Sequence, residues 1–244
     1  MFTSTPFDIP ASSAADSPVF SPAPMPLATT PAVSTRPVRR NEAALADVLR
    51  HPAVWRRGAL PALGGDALST GLAALDALLP GGGWPRGALS EILIGQDGLG
   101  ECSLVLPALA TLTRARRRVA LIAPPYIPYA PALAAAGVDL SQIVHIDAAA
   151  IDTHWTAEQC LRAGCCGAVL NWLPQADYRQ LRRLQLAAET GGAIGFVFRP
   201  LAAARETSPA ALRLKLVTGE QGPRIEIIKC RGRLESAQAI RLSA

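Results

Sequence analysis

The feature that most constrains the fold is a strand, a glycine loop and a helix in direct succession across residues 88–112. An apolar run stops at a loop that carries Gly95, Gly98 and Gly100, and leucines at helical spacing follow as far as Leu112. This order is that of a phosphate-binding P-loop, in which a buried strand leads through glycines into the start of a helix. It indicates an α/β fold.

Two positions directly after the loop depart from that motif. A nucleotide-binding loop continues with Lys, which reaches the β- and γ-phosphates, and with Ser or Thr, which binds Mg²⁺. Here these positions are Glu101 and Cys102. Opposite charges ~4 Å apart attract by ~4 kcal/mol at an effective dielectric of about 20, and glutamate reverses the sign. We therefore predict that the loop closes on the Glu101 carboxylate instead of on a triphosphate, although the glycines also suit an ordinary tight turn.

Composition limits the class of protein. The chain has 244 residues, a 50% apolar share and a formal net charge of +5. This length allows one α/β domain with a tail or two small domains, and the charge allows a nucleic-acid or an acidic partner. Its five cysteines are odd in number and irregularly spaced, so we predict buried reduced thiols and no metal site. Because a secretory signal and an apolar run of ~20 residues are both missing, we expect a cytoplasmic protein without membrane contact.

Changes in composition divide the chain into four parts. Residues 1–40 are rich in Pro, Ser, Thr and Ala and predict a disordered N-terminal tail. Residues 41–65 predict an N-terminal helical segment and a linker. Residues 66–232 alternate strand-like and helical patterns, which predicts a mostly parallel central sheet flanked by helices and ending in a C-terminal β-hairpin. Residues 233–244 form a basic C-terminal tail.

The stretch STGLAALDALLPGGGWPRGALSEILIGQDGLG, from Ser69 to Gly100, carries a family resemblance. It resembles the start of a RecA-type ATPase core, where a Thr-Gly…Leu-Asp helix and a glycine-rich loop precede the P-loop strand. Its sequence is most similar to that of ImuA, a family of RecA-like accessory proteins, and SulA-type cell-division inhibitors are the neighbouring family. The resemblance covers about residues 66–232 and implies a RecA-type P-loop core.

The resemblance also implies where an ATPase would keep its other catalytic groups. The Walker B aspartate, which holds Mg²⁺ through water, matches Asn171, and a neutral amide brings no charge to the ion. The water-activating carboxylate would lie in Ala123–Tyr126, which contains none. We therefore predict a non-catalytic protein without a cofactor, since phosphate clamp, metal ligand and base are lost together. The residues of this degenerate nucleotide site are Gly95, Gly98, Gly100, Glu101, Cys102 and Asn171.

The ImuA resemblance implies an accessory protein of SOS-induced mutagenic translesion DNA synthesis. The implied partners are an ImuB-like adaptor and an error-prone DNA polymerase, with RecA filaments and DNA as further candidates. Two alternatives stay open, namely a SulA-like inhibitor of the cell-division GTPase ring and a residual nucleotide-binding protein. Chain length beyond a minimal inhibitor favours the adaptor, and Glu101 opposes nucleotide binding.

Arginines cluster at several places suited to contact with DNA or a partner protein. Residues 199–217 correspond to the stretch that carries a DNA-binding loop in RecA, and they contain Arg199, Arg205, Arg213 and Lys215. Ordinary solvation of helix faces explains the same basic residues equally well. The candidate contact residues are Arg114, Arg116, Arg117, Arg118, Arg179, Arg182, Arg183, Trp55, Arg231 and Arg233.

Overall fold

Strands and helices alternate along the part of the chain that the structure, a computed structural model, describes: residues 67–98, 100–219, 222–232 and 239–241. The strands are β1 (Ala67–Leu68), β2 (Trp84–Pro85), β3 (Ala88–Ile94), β4 (Arg118–Ile122), β5 (Ile143–Ile146), β6 (Cys166–Trp172), β7 (Ile194–Pro200), β8 (Leu212–Gly219), β9 (Gly222–Cys230) and β10 (Ala239–Arg241). The α-helices are α1 (Ala73–Asp76), α2 (Glu101–Arg114), α3 (Ala130–Ala135), α4 (Thr153–Arg162) and α5 (Tyr178–Gly191). Short 3₁₀ turns cover Leu140–Gln142 and Leu201–Arg205.

Eight of these strands form one sheet, in the order β10-β9-β8-β3-β7-β6-β4-β5. The six strands from β8 to β5 run parallel, whereas β9 and β10 are antiparallel additions at one edge. β3 and β6 are buried along their whole length, as expected for parallel strands covered on both faces. The loops after β3, β4, β6 and β7 consequently meet at one end of the sheet, which we call the carboxyl edge.

Helices cover the two faces of the sheet separately. α2 buries Leu104, Val105 and Leu109 against one face, where Trp84 and Phe196 also meet edge to face at 5.0 Å. α4 and α5 bury apolar residues such as Leu161, Leu181 and Leu184 against the other face. α2, α4 and α5 therefore each present an apolar stripe to the sheet, and α5 carries arginines on its exposed side.

The boundaries of α5 show how local sequence positions an element at the carboxyl edge. The Asp177 side chain accepts a hydrogen bond from the Gln180 N–H (2.7 Å), and the Gln180 side chain accepts one from the Asp177 N–H (2.9 Å), so the two form a capping box. Gly192, with φ of 69°, ends the helix in the left-handed region. The helix therefore starts at Tyr178, after its cap.

The architecture confirms the predicted mixed α/β class, with a mostly parallel sheet between helices and a hairpin formed by β8 and β9. The assignment to a RecA-type P-loop core remains a prediction. The structure differs from the sequence analysis at residues 239–241, which lie in the predicted tail but pair with β9 as a strand. The predicted tail 1–40 and segment 41–65 lie outside the described residues. Within the described ranges, no helix combines the length and apolar character that crossing a bilayer requires.

Candidate functional site

The glycine loop lies where the sequence predicts, between the end of β3 and the start of α2 at the carboxyl edge. Gly98 and Gly100 have φ of 82° and 87°, a conformation that side-chain-bearing residues rarely adopt. Gly100 is the residue directly before α2 and has no side chain with which to cap the helix. The first turn of α2 must therefore obtain its hydrogen-bond acceptor from elsewhere.

Glu101 provides an acceptor within the loop. Its Oε1 accepts a hydrogen bond from the Gly98 N–H at 3.1 Å, and the residue is only 4% exposed. The predicted contact between the loop and its own carboxylate is present. A negative group held at a helix start interacts favourably with the positive end of the helix dipole. The carboxylate thus occupies the part of the loop to which a phosphate group would be attracted.

Cys102, at the position of the metal-binding hydroxyl, is half-buried beside the α2 core. Burial, with the nearby Glu101 carboxylate as a second cause, raises the pKa of the Cys102 thiol to about 12. The side chain is therefore a neutral thiol at physiological pH and brings no charge with which to bind a cation.

Asn171 lies in β6 between Ile122 of β4 and Val197 of β7, and it is 2% exposed. Its neighbours Leu170 and Trp172 face the α2 side, so strand alternation turns Asn171 toward the α4–α5 side. Neither side-chain polar atom of Asn171 has a hydrogen-bond partner among the described residues. The structure therefore does not bring Asn171 together with Cys102, because the two residues belong to opposite faces of the sheet.

A large cleft of about 1210 Å³ runs along the carboxyl edge, next to the glycine loop. We call it the carboxyl-edge cleft. Its polar and charged lining groups are Gln96, Asp97, Thr153, His154, Gln175, Asp177, Gln180, Arg199 and Glu206. Burial lowers the pKa of His154, so this imidazole is neutral at physiological pH. Among the described residues that line the cleft, the carboxylates of Asp97, Asp177 and Glu206 outnumber the guanidinium of Arg199, which is paired with Glu206.

A smaller apolar pocket of about 240 Å³ lies on the other side of the loop. Glu101, Cys102, Leu106, Tyr126 and Trp172 are among its lining residues. Trp172 also lines the carboxyl-edge cleft and stacks on Phe198 with a ring-centroid distance of 4.8 Å. Trp172 of β6 thus lines the pockets on both sides of the glycine loop.

A buried ion cluster beneath the cleft is the main feature that the sequence analysis missed. Glu91, in the middle of β3, accepts hydrogen bonds from Arg199 Nη1 at 2.9 Å and from Arg213 Nε at 2.7 Å. All three residues are at most 4% exposed. A glutamate within the apolar run LSEILI is the signal that could have revealed it, since a buried charge requires a partner.

The same two arginines hold the β7–β8 connection on the sheet. Arg199 Nη2 contacts Glu206 Oε2 at 2.8 Å, and Arg213 Nη2 donates to the Ala203 carbonyl at 2.8 Å. Although burial acts to lower it, the pKa of Arg199 is raised because hydrogen bonds to Glu206 and Glu91 favour the charged form. The expectation that Arg199 and Arg213 resemble basic residues of a DNA-binding loop is wrong for these two, because they are buried and paired.

Within the described residues, the predicted basic contact residues occupy three separate places. Arg114, Arg116, Arg117 and Arg118 are exposed at the end of α2 and the start of β4, at the opposite end of the sheet from the cleft. Arg179, Arg182 and Arg183 are exposed on α5, with Arg183 bridging to the buried Glu158 at 2.5 Å. Arg231 follows β9 and approaches Glu189 at 3.7 Å. Trp55 and Arg233 lie outside the described residues, and contact with DNA remains a prediction for the others.

Comparison with known proteins identifies a family model and relatives that match this chain. The family model described as "Cell division inhibitor SulA" matches residues 87–195, which run from the residue before β3 into β7 and include the glycine loop. The cell division inhibitor SulA of Yersinia enterocolitica is 30% identical over 116 residues, covering 47% of this chain and 69% of that protein. SulA of Photorhabdus laumondii is 37% identical over 82 residues, covering 33% and 46% respectively, so the chain spans about half the length of that relative.

A solved structure is also similar. The crystal structure of SulA from Pseudomonas aeruginosa aligns with 25% sequence identity and a TM-score of 0.39, covering 46% of this chain and 97% of that one.

Proposed function

Because the chain belongs to the family of the cell division inhibitor SulA, we propose that it inhibits cell division by binding a protein of the division machinery. The proposed target is the GTPase that forms the division ring. The proposed setting is the SOS response to DNA damage. The protein acts as a stoichiometric binding module and catalyses no reaction.

This proposal corrects the main expectation from the sequence. The expected role as a translesion-synthesis adaptor is wrong, because the matching family model and the curated relatives are cell division inhibitors. The resemblance is confirmed at the level of the SulA/RecA-related superfamily, and the member family is SulA. Residues 69–101 suggested ImuA because the sequence preceding the glycine loop is RecA-like, whereas the match to SulA covers the sheet from β3 into β7.

The observation that carries the binding mechanism is the contact between Glu101 Oε1 and the Gly98 N–H. A P-loop ATPase needs this loop open for phosphates and needs a cation next to them. Here the loop donates to a carboxylate of its own chain, and the neighbouring Cys102 is a neutral thiol. A protein that cannot hold a triphosphate at this loop can still inhibit a polymerising partner by binding it one to one.

The test is a titration of the purified division-ring GTPase with this protein, followed by pelleting of the polymers. Stoichiometric binding predicts that the polymer mass falls linearly and reaches its minimum near equimolar protein. The fall should be the same with and without ATP and should not progress with time. Bovine serum albumin at the same concentrations controls for non-specific effects.

Two outcomes would overturn the proposal. Polymer mass that stays constant at a several-fold excess of the protein rejects the target. Loss of polymer that proceeds with time at far less than equimolar protein rejects the stoichiometric mechanism and indicates catalysis.

A further inference from the structure

The apolar pocket beside the glycine loop, which we call the loop pocket, has no part in the proposed inhibition. It encloses about 240 Å³ between α2, the segment after β4 and the end of β6. A cavity of about 150 Å³ is large enough to hold benzene. The loop pocket is therefore large enough for a ring with a short side chain, and its mostly apolar lining is typical of a small-molecule site.

Glu101 carries the one charged side chain among the described residues that line the loop pocket, and it is 4% exposed. Its Oε1 accepts the hydrogen bond from the Gly98 N–H at 3.1 Å. Its Oε2 is buried and has no hydrogen-bond partner among the described residues. A buried anionic oxygen needs a donor to compensate for the water it has lost. The carboxylate therefore has one unfilled acceptor position beside an apolar cavity.

Two aromatic residues border the same pocket. A Cβ added at Gly98 would lie 3.5 Å from Tyr126 Cε2, so the Tyr126 ring packs against the glycine loop next to the partner of Glu101. Trp172 lines the pocket from β6, and its indole N–H has no acceptor among the described residues. Aromatic faces attract cations. A carboxylate next to aromatic rings thus suits an ammonium group attached to an apolar body.

The walls of the loop pocket are rigid before any ligand binds. One wall is helix α2, and the other contains Pro124, Pro125 and Pro128 within the five residues 124–128. Proline fixes its own φ, so little chain has to be ordered when a ligand enters, and a preorganised site loses less affinity to ordering.

We propose that the loop pocket binds a small amine. The protonated ammonium group pairs with Glu101 Oε2, and a ring or short hydrocarbon body fills the apolar part. The terminal torsion of a glutamate side chain is soft, so Oε2 can turn toward the ligand while the backbone of Glu101 stays in α2. The site selects for charge in the opposite sense to a phosphate-binding loop. This inference goes beyond the proposed function and does not depend on the target of inhibition.

The experiment titrates the full chain with phenethylamine and follows the Gly98 amide and Trp172 indole signals in two-dimensional amide NMR spectra. Phenethyl alcohol, which has a hydroxyl in place of the ammonium group, is the neutral control, and phenylacetate is the anionic control. We expect saturable shifts with phenethylamine and an affinity at least about tenfold higher than for the alcohol. Phenylacetate should cause no shifts, because the Glu101 carboxylate repels it.

Glu101→Gln keeps the size of the side chain and removes its charge. It should weaken phenethylamine binding at least about tenfold and leave binding of the alcohol unchanged. The matched control is Asp97→Asn, which removes a carboxylate from the same loop on the side of the carboxyl-edge cleft and should bind like the native chain. Ile127 is 87% exposed, so Ile127→Ala should fold normally and weaken the amine and the alcohol by the same factor.

Three results would overturn the proposal. If phenethylamine, tryptamine and cyclohexylamine all leave the two signals unchanged at millimolar concentration, the position beside Glu101 holds no amine. Equal affinity of phenethylamine for the native chain and for Glu101→Gln shows that the carboxylate does not pair with the ammonium group. Equal weakening by Asp97→Asn shows that the overall charge of the loop is responsible and that the pocket is not the site.

Discussion

Replacing Glu91 by glutamine should destabilise the protein severely, although Glu91 lines neither pocket described above. The substitution keeps the size of the side chain and removes its charge. Glu91 contacts Arg199 at 2.9 Å and Arg213 at 2.7 Å, and its side chain is 1% exposed. Glutamine has one acceptor oxygen in place of two. Its amide nitrogen is a donor and would face an arginine donor, so at least one of these hydrogen bonds is lost.

The expected loss of stability follows from the partners that each arginine retains after the substitution. Arg199 retains Glu206 as an ionic partner, whereas the only partners that Arg213 keeps among the described residues are the backbone carbonyls of Ala203 and Glu206. Removing one partner of a buried pair leaves a charge without compensation and costs ~3–5 kcal/mol. For a domain of about 150–250 residues, each 1 kcal/mol lowers Tm by ~2–4 °C, so Glu91→Gln should lower Tm by about 6–20 °C.

Thermal and urea unfolding monitored by far-ultraviolet circular dichroism measure this loss. The matched control is Glu206→Gln, which removes the other carboxylate of the cluster. The Glu206 side chain is 54% exposed, so its ion pair with Arg199 is partly solvated and should contribute ~0–1 kcal/mol. A triple variant with Glu91→Leu, Arg199→Met and Arg213→Met should recover much of the stability, because no buried charge is left unpaired.

Two results would refute this reasoning. A loss below about 1 kcal/mol for Glu91→Gln shows that the arginines find other partners or water. Equal losses for Glu91→Gln and Glu206→Gln show that burial does not decide the strength of these pairs.

Three further predictions concern the glycine loop and the cleft. Isothermal titration with millimolar Mg·ATP should show no saturable binding to the native protein, because Glu101 occupies the loop, and saturable binding would contradict this. Because the pKa of Cys102 is raised to about 12, iodoacetamide at about pH 8.5 should alkylate the exposed Cys165 much faster, and equal rates by peptide mass mapping would reject the burial of Cys102. Burial lowers the pKa of His154, so the unfolded chain binds this proton first, and stability should fall as pH drops below about 6.5. A His154→Gln variant should show a smaller fall in urea midpoint over that range, and an unchanged fall would exclude His154 as its source.

The order of elements in the core is a local property and was predictable. Strand-like runs, glycine loops and leucines at helical spacing placed β3, α2 and β6 close to their observed bounds, because each depends on neighbours within a few residues. The Glu101 contact with the loop is equally local, since its partner is Gly98, three residues away. Charge and helix polarity were sufficient to predict it.

Tertiary structure decided the features that join distant parts of the chain. Glu91 pairs with Arg199 and Arg213, which follow it by 108 and 122 residues in the sequence. The three residues are adjacent because β7 and β8 both pair with β3. Asn171 was expected near the phosphate loop, but the alternation of β6 within the assembled sheet turns it to the other face. Parallel strands also collect the loops that follow them at one end of the sheet, so the residues that line the carboxyl-edge cleft come from distant parts of the chain. A one-dimensional pattern specifies which residues face inward, and the pairing order of the strands determines which of them meet.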